Sequence, residues 1–335
     1  MNELSYFALD VDEDAHLQAA ADISIECELS TVGWTDTTLE QVTANLSGPS
    51  AMREAQLLVR DGEVAVGLLA FENEAEGRET FIDAYAVGPR RREILVELLA
   101  RGLATSRALA AADPDAVVPE GADLLEMDAA FWQATAATYT ADQEYVEALV
   151  GHGFVAVRTF WRMLLDLQAW PPSPPTPPKG ASRRVVVGEA DQRLLHRLRN
   201  ESFADHFGET FVRSFEDYLD QLRATEGCDP SRWWIAELDG EPAGLCILDD
   251  SKAEFDEGYV RTLGVVKAAR GRGIARWLLE CAAEDAVARG LKGLALSVDG
   301  RNTTGATRLY ESVGFRTRQQ IDVFCLPLME SAHSR

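Results

Sequence analysis

This chain is a weak repeat of itself, and that restricts it to folds a single domain can build twice. Residues 56–71 read as two strands around Asp61-Gly62, a third strand follows at 80–87, and a helix runs from about 90 to 111. Residues 233–248 read as the same pair around Asp239-Gly240, with a third strand at 259–266 and a helix after it. Asp61 to Val87 is 26 positions, and so is Asp239 to Val265. Each half opens on a helical, partly aromatic stretch (15–46 and 191–223). Each closes alike, with Gly153-Phe154 matching Gly314-Phe315 ahead of a final strand. Helices, antiparallel strands, then strand–helix–strand–helix–strand predict an α/β domain with a mixed sheet, present twice. The proline run from Trp170 to Pro178 cannot join a helix or an inner strand. It sets the expected boundaries: a first domain at 1–168, a linker at 169–182 and a second domain at 183–335.

Charge excludes several partners. With 55 acidic against 32 basic residues the net charge is −23, a surface that repels nucleic acid and anionic lipid. It suits cationic amines, and equally a protein that is merely soluble. Five cysteines, odd in number and with no C-x-x-C pair, indicate reduced thiols in the cytoplasm. The acidic start lacks a secretory signal and no apolar run is long enough for a membrane span, so a cytoplasmic, membrane-free location is expected. The five histidines lack ligand spacing, and no metal is expected.

Chemistry concentrates at residues 260–275. An apolar β-branched run ends in a polar turn, and Arg270-Gly271-Arg272-Gly273 then opens a helix. Ile274, Leu278, Cys281 and Ala282 fall on one face of that helix. Strand, glycine turn and helix together make a phosphate cradle, because first-turn N–H groups lack internal partners and point outward. The turn is not a Walker loop, since no Gly-Lys-Ser/Thr follows. Nor is it a dinucleotide fingerprint, since Arg276 stands where a third glycine belongs. Downstream, residues 291–298 form a strand. A short helix follows, with Thr303 or Thr304 as its cap and Ala306, Leu309 and Tyr310 on one face.

Taken together, Arg270 to Ala275, Asn302, Ala306, Tyr310 and Gly314-Phe315 resemble the GNAT superfamily of acyl-CoA-dependent N-acyltransferases. The two-domain layout resembles its tandem type, typified by mycothiol synthase. The resemblance covers the second half well and the first only in outline. It implies acetyl-CoA as cosubstrate, with the amides of Arg270, Gly271, Arg272, Gly273, Ile274 and Ala275 on its diphosphate. The backbone of Leu263, Gly264 and Val265 is implied to pair with the pantetheine arm, which requires the strand to splay from its neighbour there. Asn302 and Ala306 face the same arm, and Tyr310 protonates the leaving thiolate.

Related enzymes carry a basic Glu where this chain has Tyr259. Glu257, two residues earlier and on the same face of an extended strand, is therefore the candidate base. A solvated acidic turn over residues 249–257 is the competing reading. Arg261 on the same face holds a substrate carboxylate or forms a surface pair. Asp205, His206 and Phe207 are candidate acceptor contacts. Aligned without gaps on Val87 and Val265, Arg92, Glu93 and Leu95 fall against Arg270, Gly271 and Gly273; aligned on Gly153 and Gly314, Leu149 and Ala141 fall against Tyr310 and Asn302. The first half is thus expected to be degenerate and structural. The expected activity is acetyl transfer to a small-molecule primary amine by direct attack, in a monomer or homodimer. A non-catalytic CoA sensor is the alternative. An aminoacyl-tRNA-dependent transferase fits the charge poorly.

Overall fold

A computed structural model describes residues 3–74, 78–114, 131–171, 173–204, 214–225, 227–300 and 305–328. In chain order the elements begin with β1 (Leu4–Ala8), α1 (Asp14–Val32), α2 (Leu39–Ser47), β2 (Leu57–Asp61), β3 (Val64–Glu74) and β4 (Glu79–Ala86). Next come α3 (Arg91–Ala112), β5 (Gln133–Tyr139), α4 (Gln143–Gly151) and β6 (Val155–Asp166). The second half holds β7 (Ala181–Val185), α5 (Gly188–Phe203), α6 (Phe215–Ala224), β8 (Cys228–Leu238), β9 (Glu241–Asp249) and β10 (Glu257–Val265). It ends with α7 (Ile274–Ala288), β11 (Gly293–Asp299), α8 (Ala306–Val313) and β12 (Arg316–Pro327).

Two compact units result, residues 1–159 with 320–335, and residues 160–319. In the first, strands run in the order β1-β2-β3-β4-β5-β12; in the second, β6-β11-β10-β9-β8-β7. Both hairpins sit on the expected Asp-Gly pairs, and β4–β5 and β10–β11 are the parallel pairs. In the first unit α3 and α4 pack on one face of the sheet, while α1 and α2 cover the other. The second unit repeats this with α7 and α8 against α5 and α6. Ile274, Leu278, Cys281 and Ala282 are all buried, as their spacing requires. Each large side chain buried this way contributes about 1.5–3 kcal/mol.

The closing strands do not follow the expected boundaries. Residues 160–166 of β6 pair with β11 of the second unit, whereas residues 321–327 of β12 pair with β5 of the first. The two closing strands occupy equivalent places in the repeat. Local pattern therefore cannot say which sheet each one joins.

Glu257 also departs from its expected role. It is buried at the start of β10, and Arg318 grips both its oxygens, at 2.5 and 3.2 Å. This is an internal, bidentate pair that ties β10 to β12, and it does not leave a free base. We expect Glu257→Gln to lower the unfolding free energy by about 2–3 kcal/mol in urea melts. That is less than a fully buried pair loses, because Arg318 is partly in water. A change below about 0.5 kcal/mol would contradict a structural role.

Candidate active site

Strand β10 is paired on both sides only over its first half. Its parallel partner β11 stops at Val260↔Leu296, while antiparallel β9 continues to Val265↔Gly244. A register shift between Val260 and Thr262 accompanies the separation. Such a bulge bends the strand, so β10 diverges from β11. One backbone edge of residues 261–265 is thereby left without a strand partner, as the sequence reading required.

Where β10 ends, a turn of eight residues leads to α7. The backbone N–H groups of Gly271, Arg272, Gly273, Ile274, Ala275 and Arg276 make no hydrogen bond within the described chain, and the first amide of α7 to do so is that of Trp277, to Gly273. Six successive unpaired N–H groups at a helix start form a concave anion site. Gly271 and Gly273 have φ of 75° and 82°, which L side chains rarely adopt. Among the described residues, chain neighbours aside, none comes within 4 Å of a Cβ added to Gly271. Its glycine therefore answers to backbone shape.

The side chain of Arg270 is engaged by the protein itself. It turns inward, donating from Nε to the Val265 carbonyl (3.1 Å) and from Nη2 to the Ser202 carbonyl (2.8 Å). A guanidinium suits that carbonyl end of α5. Arg272 is exposed and lies outside the cleft lining.

A cleft of about 400 Å³ opens between these elements. Leu263, Gly264, Val265, Arg270, Gly271, Gly273, Ile274, Ala275, Ala306 and Tyr310, all singled out from the sequence, line it. Ser202, Phe203, Ala269, Arg276, Gly305 and Leu309 line it as well. Of these, only Leu309 shares a face with Ala306 and Tyr310 by helical spacing. Ser202 and Phe203 come from the end of α5, and no local pattern marks them. Tyr310 lies against Phe315, with ring centroids 6.0 Å apart. Its hydroxyl makes no hydrogen bond to a described residue. Burial and, secondarily, the nearby Cys246 thiol push its pKa up to about 12, so it remains a proton donor throughout the neutral range.

Arg261 does not reach the cleft. It donates to the buried carboxylate of Asp249 at 2.5 Å and lies over the Tyr259 ring, which is the surface-pair reading rather than the substrate one. The bulge beside it breaks the two-residue alternation on which the shared face with Glu257 depended. No carboxylate or imidazole is among the described residues lining the cleft. Asp205, His206, Phe207 and Asn302, like Thr303 and Thr304, lie outside the described residues. Among the described residues no cluster of His, Cys, Asp or Glu is arranged to hold a metal ion, and no helix is long and apolar enough to cross a membrane.

The equivalent place in the first unit is filled by its own atoms. Only four residues join β4 to α3. Arg91 Nε donates to the Ala86 carbonyl at the end of β4, as Arg270 does to Val265. Arg91, not Arg92, is therefore the counterpart of Arg270, which corrects the gapless match by one position. Its guanidinium also grips Asp142, the cap of α4. Strand β4 diverges from β5 after Phe81↔Thr135. There the Tyr145 hydroxyl accepts from the Ala84 amide (3.1 Å) and donates to the Ile82 carbonyl (3.3 Å). Bonds from Phe154 to Leu149 and from Phe315 to Tyr310 close the two short helices identically. Leu149 thus stands at the place of Tyr310, and Tyr145 at that of Ala306.

Comparison with known proteins agrees with this geometry. Residues 194–315 match the model of the Acetyltransferase (GNAT) family. A mycothiol acetyltransferase of Cellulomonas flavigena is 30% identical over 186 residues, 52% of this chain and 51% of that protein. The chain spans about half the length of the curated relatives it matches in this way. A GCN5-related N-acetyltransferase from Sphaerobacter thermophilus superposes with a TM-score of 0.78 at 22% identity, covering 98% of this chain and 96% of that one. A tandem GNAT protein from the clavulanic acid biosynthesis pathway gives 0.69 at 16%, covering 98% and 100%. Those two likenesses establish the fold. Residues 194–315 are thus similar to the GNAT acetyltransferase family, within a tandem α/β fold shared with those solved structures.

Proposed function

We propose that the chain transfers an acetyl group from acetyl-CoA to a primary amine of a small molecule by direct attack, the second unit carrying the chemistry. The observation that supports this most is the alignment of three features on one cleft: the unbonded amides of the turn before α7 and its first residues, an unpaired strand edge and the Tyr310 hydroxyl. Acetyl-CoA supplies an activated acyl group on a thiol that can leave. The amides of Gly271 to Arg276 bind its diphosphate, and the free edge of Leu263 to Val265 pairs with its amide-bearing arm. Tyr310 then gives a proton to the departing thiolate, which its raised pKa allows at neutral pH. The acceptor is proposed to be an amine of the kind acted on by the mycothiol acetyltransferases among its relatives.

One observation favours a second reading. With no carboxylate among the described cleft residues, a CoA-binding sensor without turnover uses the same cradle. A panel of amines assayed for thiol release separates the two, since tight CoA binding with no turnover selects the sensor.

For the first unit we propose a structural role, because Tyr145 and Leu149 occupy the room that Ala306 and Tyr310 leave open in the second. Calorimetry is expected to give one acetyl-CoA per chain, and a stoichiometry of two would overturn this assignment. Tyr310→Phe should lower kcat about 10²–10⁴-fold with the acetyl-CoA dissociation constant unchanged. Since the phenol keeps its proton until about pH 12, no decline in rate between pH 8 and 10 should trace to it. An alkaline limb in that range that disappears in Tyr310→Phe would count against the assignment.

A further inference from the structure

Ser202 sits in the last turn of α5, is 3% exposed and lines the cleft. Its carbonyl holds the Arg270 guanidinium, yet its hydroxyl has no hydrogen-bond partner among the described residues. Buried hydroxyls without partners are rare, since burial removes water and returns nothing for it. Packing does not call for the oxygen either. A Cβ added to Gly264 would meet the Ser202 Cβ at 2.8 Å and its Oγ at 3.0 Å, so helix and strand approach closely here. An alanine side chain occupies the same space. What the oxygen adds is one donor beside the unpaired stretch of β10, on the α5 side.

We infer that the Ser202 hydroxyl donates a hydrogen bond to a carbonyl of the acyl-CoA arm where the arm passes Gly264. The inference rests on the proposed reading of the cleft as an acyl-CoA site. The hydroxyl reaches the ligand by turning about one bond, Cα–Cβ, between staggered positions. An acyl-CoA carries carbonyl oxygens on its pantetheine amides and at its thioester, each an acceptor of the required kind. The strand edge contacts the arm through main-chain groups, and Ser202 holds it from above Gly264. Ser202 is thus a binding residue whose oxygen is a liability in the free protein and useful only in the complex.

The test measures both sides of that trade in the full-length chain. Ser202→Ala and wild type are compared by thermal unfolding without ligand and by calorimetric titration with CoA and with acetyl-CoA. Ser202→Ala is expected to melt no lower than wild type, and to rise by about 2–4 °C, because an unsatisfied group has been removed. Its affinity is expected to fall about five- to tenfold. A loss with both ligands assigns the bond to a pantetheine amide, and a loss with acetyl-CoA alone assigns it to the thioester. Unchanged affinity for both ligands overturns the inference. So does a melting temperature lowered by several degrees, which would mean the hydroxyl is bonded inside the chain. If wild type itself binds neither ligand, the acyl-CoA reading of the cleft fails, and this inference fails with it.

Discussion

Unsatisfied main-chain groups govern the second unit. A buried or half-buried N–H without an acceptor is costly, so folded chains pair nearly all of them. Here the divergence of β10 from β11 after Val260 and the glycine turn after Val265 leave main-chain groups without internal partners along one cleft. The rest of the unit is arranged to maintain that state. Arg270 pins the strand end to α5, the apolar face of α7 anchors the turn in the core, and α8 sets Tyr310 opposite. Each is an ordinary packing or hydrogen-bonding device. Their joint effect is a cleft with preorganised polar groups, which on the proposed reading serve a ligand with phosphates at one end and amides along its length.

The first unit shows how the same architecture looks when those groups are satisfied internally. Its strand also diverges, but Tyr145 reaches into the gap and pairs with Ile82 and Ala84. Its turn is four residues shorter in the loop before the helix, and Arg91 pairs with Asp142. Burial raises the Tyr145 pKa well above the usual tyrosine value, consistent with a neutral phenol locked in the core. The small-to-large difference of Ala306 against Tyr145, with the shorter turn, separates an open cleft from a closed one.

Much of this was legible in advance because short-range rules suffice for it. Hairpins at Asp61-Gly62 and Asp239-Gly240, the apolar stripe of α7 and the glycine turn are local patterns. Ten of the residues read as cofactor contacts do line one cleft. The reading was weaker where a side chain's partner lies far along the chain. Glu257 was placed on the correct strand, but Arg318, 61 positions away, claims it. Arg261 was displaced by a bulge that alternation alone does not reveal. Ser202 and Phe203 enter the cleft because α5 ends against β10, a packing fact with no signature in their neighbourhood.

By itself the sequence determined the duplication, the order of strands and helices in each half, and the position of the cradle. These follow from periodicity, turn chemistry and the need for glycine at positive φ, all read within a few residues. Tertiary structure alone decided which sheet each closing strand joins, which carboxylates are consumed by internal arginines, and whether a diverging strand stays open or is filled by a tyrosine. Those outcomes depend on which groups meet after the chain has folded back on itself, and pairing at that range is set by competition among many possible partners.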